Sequence, residues 1–148
     1  IRLHLIGKLQ TNKVKILLKL FDFIHSLDNE KLAKKISEEQ KKQNLNPRLF
    51  IQVNIGNESQ KSGIHIQKLT EFYNYCKELE LNIIGLMCIP PIDYDPEISF
   101  SRMNYLKKKM NLEELSMGMS ADYLIAINFN SSYLRIGSEI FGQRLKTL

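Results

Sequence analysis

Short apolar segments of strand length alternate with helix-type segments along the chain, and this alternation restricts the possible folds more than any other feature. The six strand-like segments are LHLIG, FDFIHSL, RLFIQVNIG, NIIGLMCI, ELSMGM and YLRIGSEIFG. About five segments of helical composition separate them. Strands this short, with helices between them, predict parallel pairing through helical crossovers. The fold class is therefore α/β, either as a doubly wound sheet or as a βα barrel of the TIM type.

Two of the helical segments carry specific signals. Over residues 67–81, apolar side chains recur three and four positions apart and predict one buried helix face; they are Leu69, Phe72, Tyr73, Cys76 and Leu79. Asp28 precedes the segment NEKLAKKISEEQKKQ and is expected to cap it, since an aspartate can accept from the free N–H groups of a first turn. Asn46 and Pro47 are expected to break the chain before the next strand.

The length of 148 residues, with 43% hydrophobic content, predicts one domain spanning residues 1–148. A complete eight-stranded βα barrel usually needs about 250 residues. About six of eight strands would therefore be present, and a barrel built from them would stay open.

Charge and composition disfavour several partners. The net charge of +5 comes from 21 basic against 16 acidic residues, and the excess is mostly lysine spread over predicted helix surfaces. No alternation of basic and aromatic residues resembles a base-stacking platform, so nucleic acid is not an expected partner. No apolar run approaches the roughly 18 residues of a membrane span. A soluble, cytoplasmic protein is expected, with Cys76 and Cys88 as reduced core thiols and no metal site.

The carboxyl ends of the last two strands are the expected ligand site, because parallel α/β folds bind ligands there. In LSMGMSADYLIAI, Gly118 allows close backbone approach, and Ser120 with Asp122 stands where a helix should begin. Free N–H groups at a helix start bind anions, and the Ser120 hydroxyl adds a donor. A serine in this position can also be a simple helix cap.

In YLRIGSEIFGQR, Arg135 lies within an apolar strand and is followed by Gly137 and Ser138. A guanidinium keeps its charge, so an inward-facing Arg135 needs hydrogen-bond acceptors. A ligand could supply them, and so could an internal ion pair; an outward-facing side chain would not need them. Gly137 and Ser138 offer backbone N–H groups beside a position without a side chain, which suits a phosphate.

Five segments together resemble one family. HLIGKLQTNK, NIGNESQKSG, GLMCIPP, LSMGMSAD and RIGSEIFG occur in the order and approximate spacing of the pyridoxal-phosphate homeostasis proteins, whose fold is the alanine racemase N-terminal-domain barrel. The resemblance implies a βα barrel that holds pyridoxal 5′-phosphate, without established catalysis, and that buffers the cofactor or delivers it to pyridoxal-phosphate-dependent apoenzymes. A monomer is expected. A racemase-like or decarboxylase-like enzyme using the same half-site is the alternative.

Site residues follow from the same resemblance. Ser120 resembles the phosphate-binding serine after the seventh barrel strand, and Gly137 and Ser138 resemble the phosphate contacts after the eighth. Arg135 resembles the arginine that faces the pyridine nitrogen. The other matching positions near the cofactor are His4, Met117 and Met119. No catalytic residue is expected.

The cofactor-bearing lysine is the main departure from the family. The family attaches its cofactor through a lysine at the end of the first barrel strand, upstream of the motif that begins here at His4. The first two βα units are expected to be missing from this chain. Lys8 and Lys61 follow strand-like segments but lie outside the matching motif. Both are expected to face solvent or loop contacts.

Overall fold

The computed structural model describes residues 1–58 and 60–142, which form a parallel sheet with helices packed against it. The strands are β1 (His4–Leu5), β2 (Phe23–Leu27), β3 (Arg48–Asn54), β4 (Ile64–His65), β5 (Ile83–Met87), β6 (Glu114–Met119) and β7 (Tyr133–Arg135). The helices are α1 (Val14–Leu17), α2 (Glu30–Gln43), α3 (Leu69–Glu78), α4 (Pro96–Lys109), α5 (Tyr123–Asn128) and α6 (Ser138–Phe141). Short 3-10 turns at Thr11–Lys13 and Ile66–Lys68 precede α1 and α3.

The order of the strands decides between the two folds that the sequence allows. The sheet runs β1-β2-β3-β5-β6-β7, and every pair in it is parallel. A doubly wound sheet reverses its strand order at a switch point, whereas a barrel keeps sequence order. The order is therefore that of a barrel, and β1 and β7 are its two open edges in the described part of the chain. The prediction of a partial barrel with about six strands is confirmed.

β4 is a strand that the sequence patterns do not predict. It has two residues and pairs beside the end of β3, with Val53 opposite Ile64 and Asn54 opposite His65. Gly63 makes the close approach possible, since a Cβ there would lie 2.6 Å from the Asn54 nitrogen. The strand is too short to show any periodicity, so tertiary pairing alone creates it.

Side chains alternate between two faces of the sheet. Along β3, Leu49 and Ile51 join a large apolar cluster shared with the helices, while Phe50 points the other way. Phe50 packs there with Phe23 and Met87 in a smaller cluster. We call the face that carries Phe23, Phe50 and Met87 the inner face. Burial of both faces explains why the strand segments lack a clean polar and apolar alternation.

The apolar face predicted for the helix over residues 67–81 is confirmed. Leu69, Phe72 and Cys76 are buried, and Tyr73 and Leu79 pack against the same core. The helix itself is shorter than predicted, because a 3-10 turn supplies its beginning and its last helical residue is Glu78.

The cap of α2 differs from the prediction. Asn29 is the N-cap, and its side-chain oxygen accepts a hydrogen bond from the Leu32 N–H at 2.9 Å. Asp28 instead accepts from the Asn29 side-chain amide at 2.6 Å. The prediction that Asp28 caps the helix is wrong, because the helix begins one residue later and a cap bonds the N–H groups two and three positions ahead.

The last strand segment is also shorter than its sequence pattern. Strand pairing ends at Arg135, and residues 138–141 turn into the short helix α6. Arg135 is therefore the final residue of β7. This places its side chain at the carboxyl end of the sheet.

Both cysteines are buried and free, in line with the prediction of core thiols. Burial raises the pKa of each thiol to about 12. None of the helices in residues 1–58 and 60–142 combines the length and hydrophobicity needed to cross a membrane.

Candidate functional site

The turns after β6 and β7 meet at one corner of the sheet. Met119 and Arg135 are register partners at the ends of these parallel strands. The Ser120 hydroxyl oxygen accepts hydrogen bonds from the backbone N–H groups of Gly137 and Glu139, each at 3.3 Å. The two segments singled out in the sequence are thus adjacent, and two backbone donors converge on one oxygen between them.

Asp122 shapes the first of these turns. Its carboxylate accepts from the Met119 N–H at 2.7 Å, and its own N–H donates to the Met119 carbonyl at 3.0 Å. Asp122 is also the N-cap position of α5. Ser120 does not cap α5, since its hydroxyl accepts from the turn after β7. Its position leaves the hydroxyl facing the neighbouring turn.

A cavity of about 570 Å³ opens at this corner. Its walls come from both turns and from the end of β7: Met119, Ser120, Ala121, Arg135, Gly137, Ser138, Phe141 and Gly142. Small-molecule sites have volumes of roughly 300–1,000 Å³. A second cavity, of about 380 Å³, lies at the amino ends of β2 and β3 beside Phe23 and Arg48. Ligands of parallel α/β sheets bind at the carboxyl ends, which favours the first cavity.

Two glycines of the predicted site have different tasks. A Cβ on Gly137 would have no atom within 4 Å, so that position faces open space in the cavity. Gly118 has φ +94°, and a Cβ there would lie 2.7 Å from the Ala126 Cβ. The lack of a side chain at Gly118 therefore allows α5 to pack against β6. The lack of a side chain at Gly137 instead leaves room for a ligand next to the backbone.

Arg135 points inward and is partly buried, with no carboxylate within ion-pair distance in the described part of the chain. One guanidinium nitrogen donates to the Ser116 hydroxyl and another to the Cys88 carbonyl, both at 2.8 Å. Burial lowers the pKa of Arg135 from its usual value, although an arginine in a protein still keeps its proton. Asp122 is near enough to favour the charge on Arg135 but makes no ion pair with it in the described residues, so positive charge remains at the edge of the cavity. That charge suits an anion or a strong hydrogen-bond acceptor.

Behind Arg135, two histidines extend the polar contacts across the inner face. The His25 Nδ1 lies 2.8 Å from the Ser116 hydroxyl, and the His25 Nε2 lies 3.0 Å from the His4 Nδ1. The His25 ring also stacks on Phe50 with 4.3 Å between centroids. The pKa of His25 is lowered to about 3, mainly by burial and to a smaller extent by the nearby His4 and Arg135. His25 is therefore neutral at physiological pH.

His25 and Ser116 are not among the site residues predicted from the sequence. A usable signal exists: each is a polar residue in an otherwise apolar strand, as Arg135 is. His25 also stands two residues after Phe23, so that both share a strand face. Only the fold shows that these positions lie across from Arg135.

The structure brings most, but not all, of the predicted site residues together. Met119 lines the cavity with Ser120 and Arg135. His4 lies outside the cavity lining and reaches Arg135 through His25 and Ser116. Met117 is fully buried in the cluster shared with the helices, on the opposite face from Ser116, because neighbouring strand residues point to opposite faces. We therefore leave Met117 out of the proposed site.

The two lysines considered in the sequence also have clear positions. Lys8 is exposed to solvent. The Lys61 ammonium pairs with the Glu58 carboxylate of its own loop at 2.8 Å. Neither lines the cavity at the ends of β6 and β7.

Comparison with known proteins adds sequence relatives. Residues 2–145 match the family model for the alanine racemase N-terminal domain. A pyridoxal phosphate homeostasis protein of Aquifex aeolicus is 39% identical over 151 residues, and one of Vibrio cholerae is 38% identical over 151 residues. The alignments cover 95% of this chain but 66% and 64% of those relatives. The chain thus spans slightly less than two thirds of their length.

A solved structure is similar over the same region. PipY of Synechococcus elongatus, determined with and without bound pyridoxal phosphate, superposes with a TM-score of 0.85 at 29% identity. The superposition covers 96% of this chain and 71% of PipY.

Proposed function

The chain belongs to the alanine racemase N-terminal-domain family, and from this premise we propose that it binds pyridoxal 5′-phosphate in the cavity at the carboxyl ends of β6 and β7. The observation that carries the proposal is the convergence of the Gly137 and Glu139 N–H groups on the Ser120 hydroxyl beside the inward-facing Arg135. The names of the curated relatives and the ligand of PipY support the same cofactor.

The cofactor's phosphate would be held by the two turns. The Gly137 and Glu139 N–H groups at the start of α6 donate to the Ser120 hydroxyl in the described structure and would turn to a phosphate oxygen, since backbone N–H groups arranged in this way bind anions. The Ser120 hydroxyl can donate to a phosphate oxygen, and the Ser138 hydroxyl lines the same cavity. The open space at Gly137 leaves room for a tetrahedral group against the backbone.

Arg135 would face the pyridine nitrogen. When bound, pyridoxal phosphate supplies an aldehyde and an electron-withdrawing ring for amino-acid chemistry. A guanidinium donates a hydrogen bond to the ring nitrogen and disfavours its protonation, whereas a carboxylate would keep that nitrogen protonated. Arg135 therefore holds the ring in its weakly activating form. The residues of this site bind and orient, which fits storage of the cofactor better than turnover.

The physiological role that we propose is buffering of pyridoxal phosphate and its delivery to apoenzymes in the cytoplasm. Met119 completes the wall of the cavity, and we include it among the binding residues with Ser120, Arg135, Gly137 and Ser138. His4 belongs to the polar chain behind Arg135.

Calorimetric titration with pyridoxal 5′-phosphate tests the placement of the phosphate. Ser120→Ala is expected to weaken binding about tenfold, because it removes one hydrogen-bonding group from a charged ligand. Ser101→Ala is the matched control, since Ser101 is an exposed serine on α4 outside the cavity. Pyridoxal, which lacks the phosphate, should bind at least about tenfold more weakly than the phosphorylated form.

Two results would contradict the proposal. Equal affinities of Ser120→Ala and Ser101→Ala for pyridoxal 5′-phosphate would mean that the phosphate does not bind at the Ser120 turn. Conversion of L-alanine into D-alanine by the cofactor-loaded protein, measured by chiral chromatography, would favour the racemase alternative over a binding function.

A further inference from the structure

A continuous chain of hydrogen bonds runs along the inner face from Arg135 to His4. It passes from the Arg135 guanidinium to the Ser116 hydroxyl (2.8 Å), then to the His25 Nδ1 (2.8 Å), and from the His25 Nε2 to the His4 Nδ1 (3.0 Å). Ser116 and His25 are almost completely buried. Four strands, β1, β2, β6 and β7, each contribute one member.

The chemistry of the four groups favours one direction for this chain. A guanidinium can only donate, so the Ser116 oxygen accepts from Arg135. The described structure offers one acceptor for the Ser116 O–H, the His25 Nδ1. We assign the unprotonated state to that nitrogen because it gives the Ser116 O–H an acceptor; a neutral imidazole carries one proton, so His25 would then be protonated at Nε2 and donate to His4. His4 in turn accepts at Nδ1.

The rings are held in place by aromatic packing as well. The His4 ring stacks on Phe23 with 4.1 Å between centroids and a 9° angle between the planes. The His25 ring stacks on Phe50, and the Tyr133 ring meets it edge-on. Because this packing restricts rotation of the rings, the His25 Nδ1 stays in a fixed position beside the Ser116 hydroxyl.

We propose that Ser116 and His25 are positioning residues that hold the Arg135 guanidinium in one orientation toward the cavity. The inference deepens the proposed function, because it rests on Arg135 facing the cofactor's ring. One guanidinium nitrogen donates to Ser116 and another to the Cys88 carbonyl. The remaining guanidinium N–H groups would then be directed toward the ring of the bound cofactor. The chain cannot conduct protons to the site, since Arg135 at its end does not release one. Its task is orientation.

The first experiment uses the protein without cofactor. The chain contains three histidines, so the nitrogen NMR spectrum of histidine-labelled protein is readily assigned with His65→Gln as the reference variant. His25 is expected to be neutral and protonated at Nε2. In Ser116→Ala, the guanidinium protons of Arg135 should exchange with water about tenfold faster, because one charge-assisted hydrogen bond is lost. Exchange should be unchanged in His65→Gln.

A second variant, His25→Phe, keeps the test valid if Ser116→Ala does not fold. His25→Phe keeps a ring to stack on Phe50 but removes both nitrogen atoms, and it should speed the Arg135 exchange in the same direction. Circular dichroism establishes that each variant is folded. A His25 protonated at Nδ1, or unchanged Arg135 exchange in both folded variants, would overturn the inference.

The second experiment adds pyridoxal 5′-phosphate and follows its absorption spectrum against pH. Ser116→Ala should shift the pH dependence of the bound cofactor's spectrum, while the affinity for inorganic phosphate stays within twofold of the wild type. A spectrum whose pH dependence is the same in Ser116→Ala and wild type overturns the positioning role. If wild-type protein fails to bind pyridoxal phosphate, the proposed function fails, and the cofactor-free NMR result alone decides whether Ser116 and His25 position Arg135.

Discussion

At the level of single residues, one position in a strand decides whether a side chain faces Arg135 or the apolar core. Ser116 and Met117 are neighbours in β6, and both are fully buried. Ser116 faces the inner side and bonds Arg135, while Met117 packs among apolar side chains next to the helices. The same contrast holds for the glycines. Gly118 is required by the fold, whereas Gly137 borders the cavity.

The two glycines give a matched pair of alanine variants. Gly118→Ala should destabilise the protein by about 1–3 kcal/mol, because its positive φ and the 2.7 Å approach to Ala126 both oppose a side chain. Gly137→Ala should change stability by less than about 0.5 kcal/mol, since its φ of −126° is not in the left-handed region and the space beside it is open. It should nevertheless weaken pyridoxal phosphate binding. Urea unfolding and calorimetric titration measure both effects.

A Gly137→Ala protein that is strongly destabilised but binds the cofactor normally would contradict this assignment. So would a Gly118→Ala protein of wild-type stability.

At the scale of elements, the site depends on where strands end and helices begin. β7 ends at Arg135, and α6 begins three residues later, so the guanidinium and the backbone N–H groups of the turn face the same cavity. On the outside of the sheet, α2 buries Leu32, Ala33 and Ile36 against the core. Its placement requires a helix start at Glu30, which the Asn29 side chain fixes.

The cap of α2 can be tested directly. Asn29→Ala should lower the free energy of unfolding by about 1 kcal/mol, because the Leu32 N–H loses its acceptor. Asp28→Ala is the matched control, since Asp28 is the adjacent polar residue and accepts from the Asn29 side-chain amide, not from a backbone N–H of the helix. The loss should be smaller in the control. A larger loss in Asp28→Ala than in Asn29→Ala, measured by chemical denaturation, would mean that Asp28 is the effective cap.

At the scale of the whole molecule, burial of a neutral histidine couples folding to pH. His25 on β2 is surrounded by His4 from β1, Phe50 from β3, Ser116 from β6, and Tyr133 and Arg135 from β7. Of these, His4 and Arg135 oppose a positive charge on the ring. Between pH 6.5 and about 3, His25 is therefore neutral in the folded protein and protonated in the unfolded chain.

The resulting pH dependence has a definite sign. The pKa of His25 falls from 6.5 to about 3 on folding. The contribution of neutral His25 to the free energy of unfolding is complete above pH 6.5. It is lost as the pH falls toward 3, at a rate approaching about 1.4 kcal/mol per pH unit. In urea unfolding between pH 7 and pH 4, His25→Phe should lose less stability than wild type. His65→Gln should follow wild type. Parallel curves for wild type and His25→Phe would contradict this prediction.

Local features of this protein follow from its amino-acid order. The alternation of segments predicted parallel α/β architecture, the spacing of Leu69, Phe72 and Cys76 predicted a buried helix face, and the motifs around Ser120 and Arg135 predicted adjacent turns. These features depend on neighbours in the chain or on short recurring motifs, so they can be read along it. Helix and strand ends were less certain, as the cap of α2 and the end of β7 illustrate.

The tertiary structure alone decided the rest. The pairing of β3 with residues 64–65 created β4, and the strand order confirmed the open barrel that the family resemblance predicts but that the alternation of segments alone leaves undecided. His25 and Ser116 are 91 positions apart in sequence, and a 2.8 Å contact between them exists because β2 and β6 face each other across the inner side. A single polar residue in an apolar strand has no local partner to reveal its role. Its meaning comes from the side chain opposite, which the fold supplies.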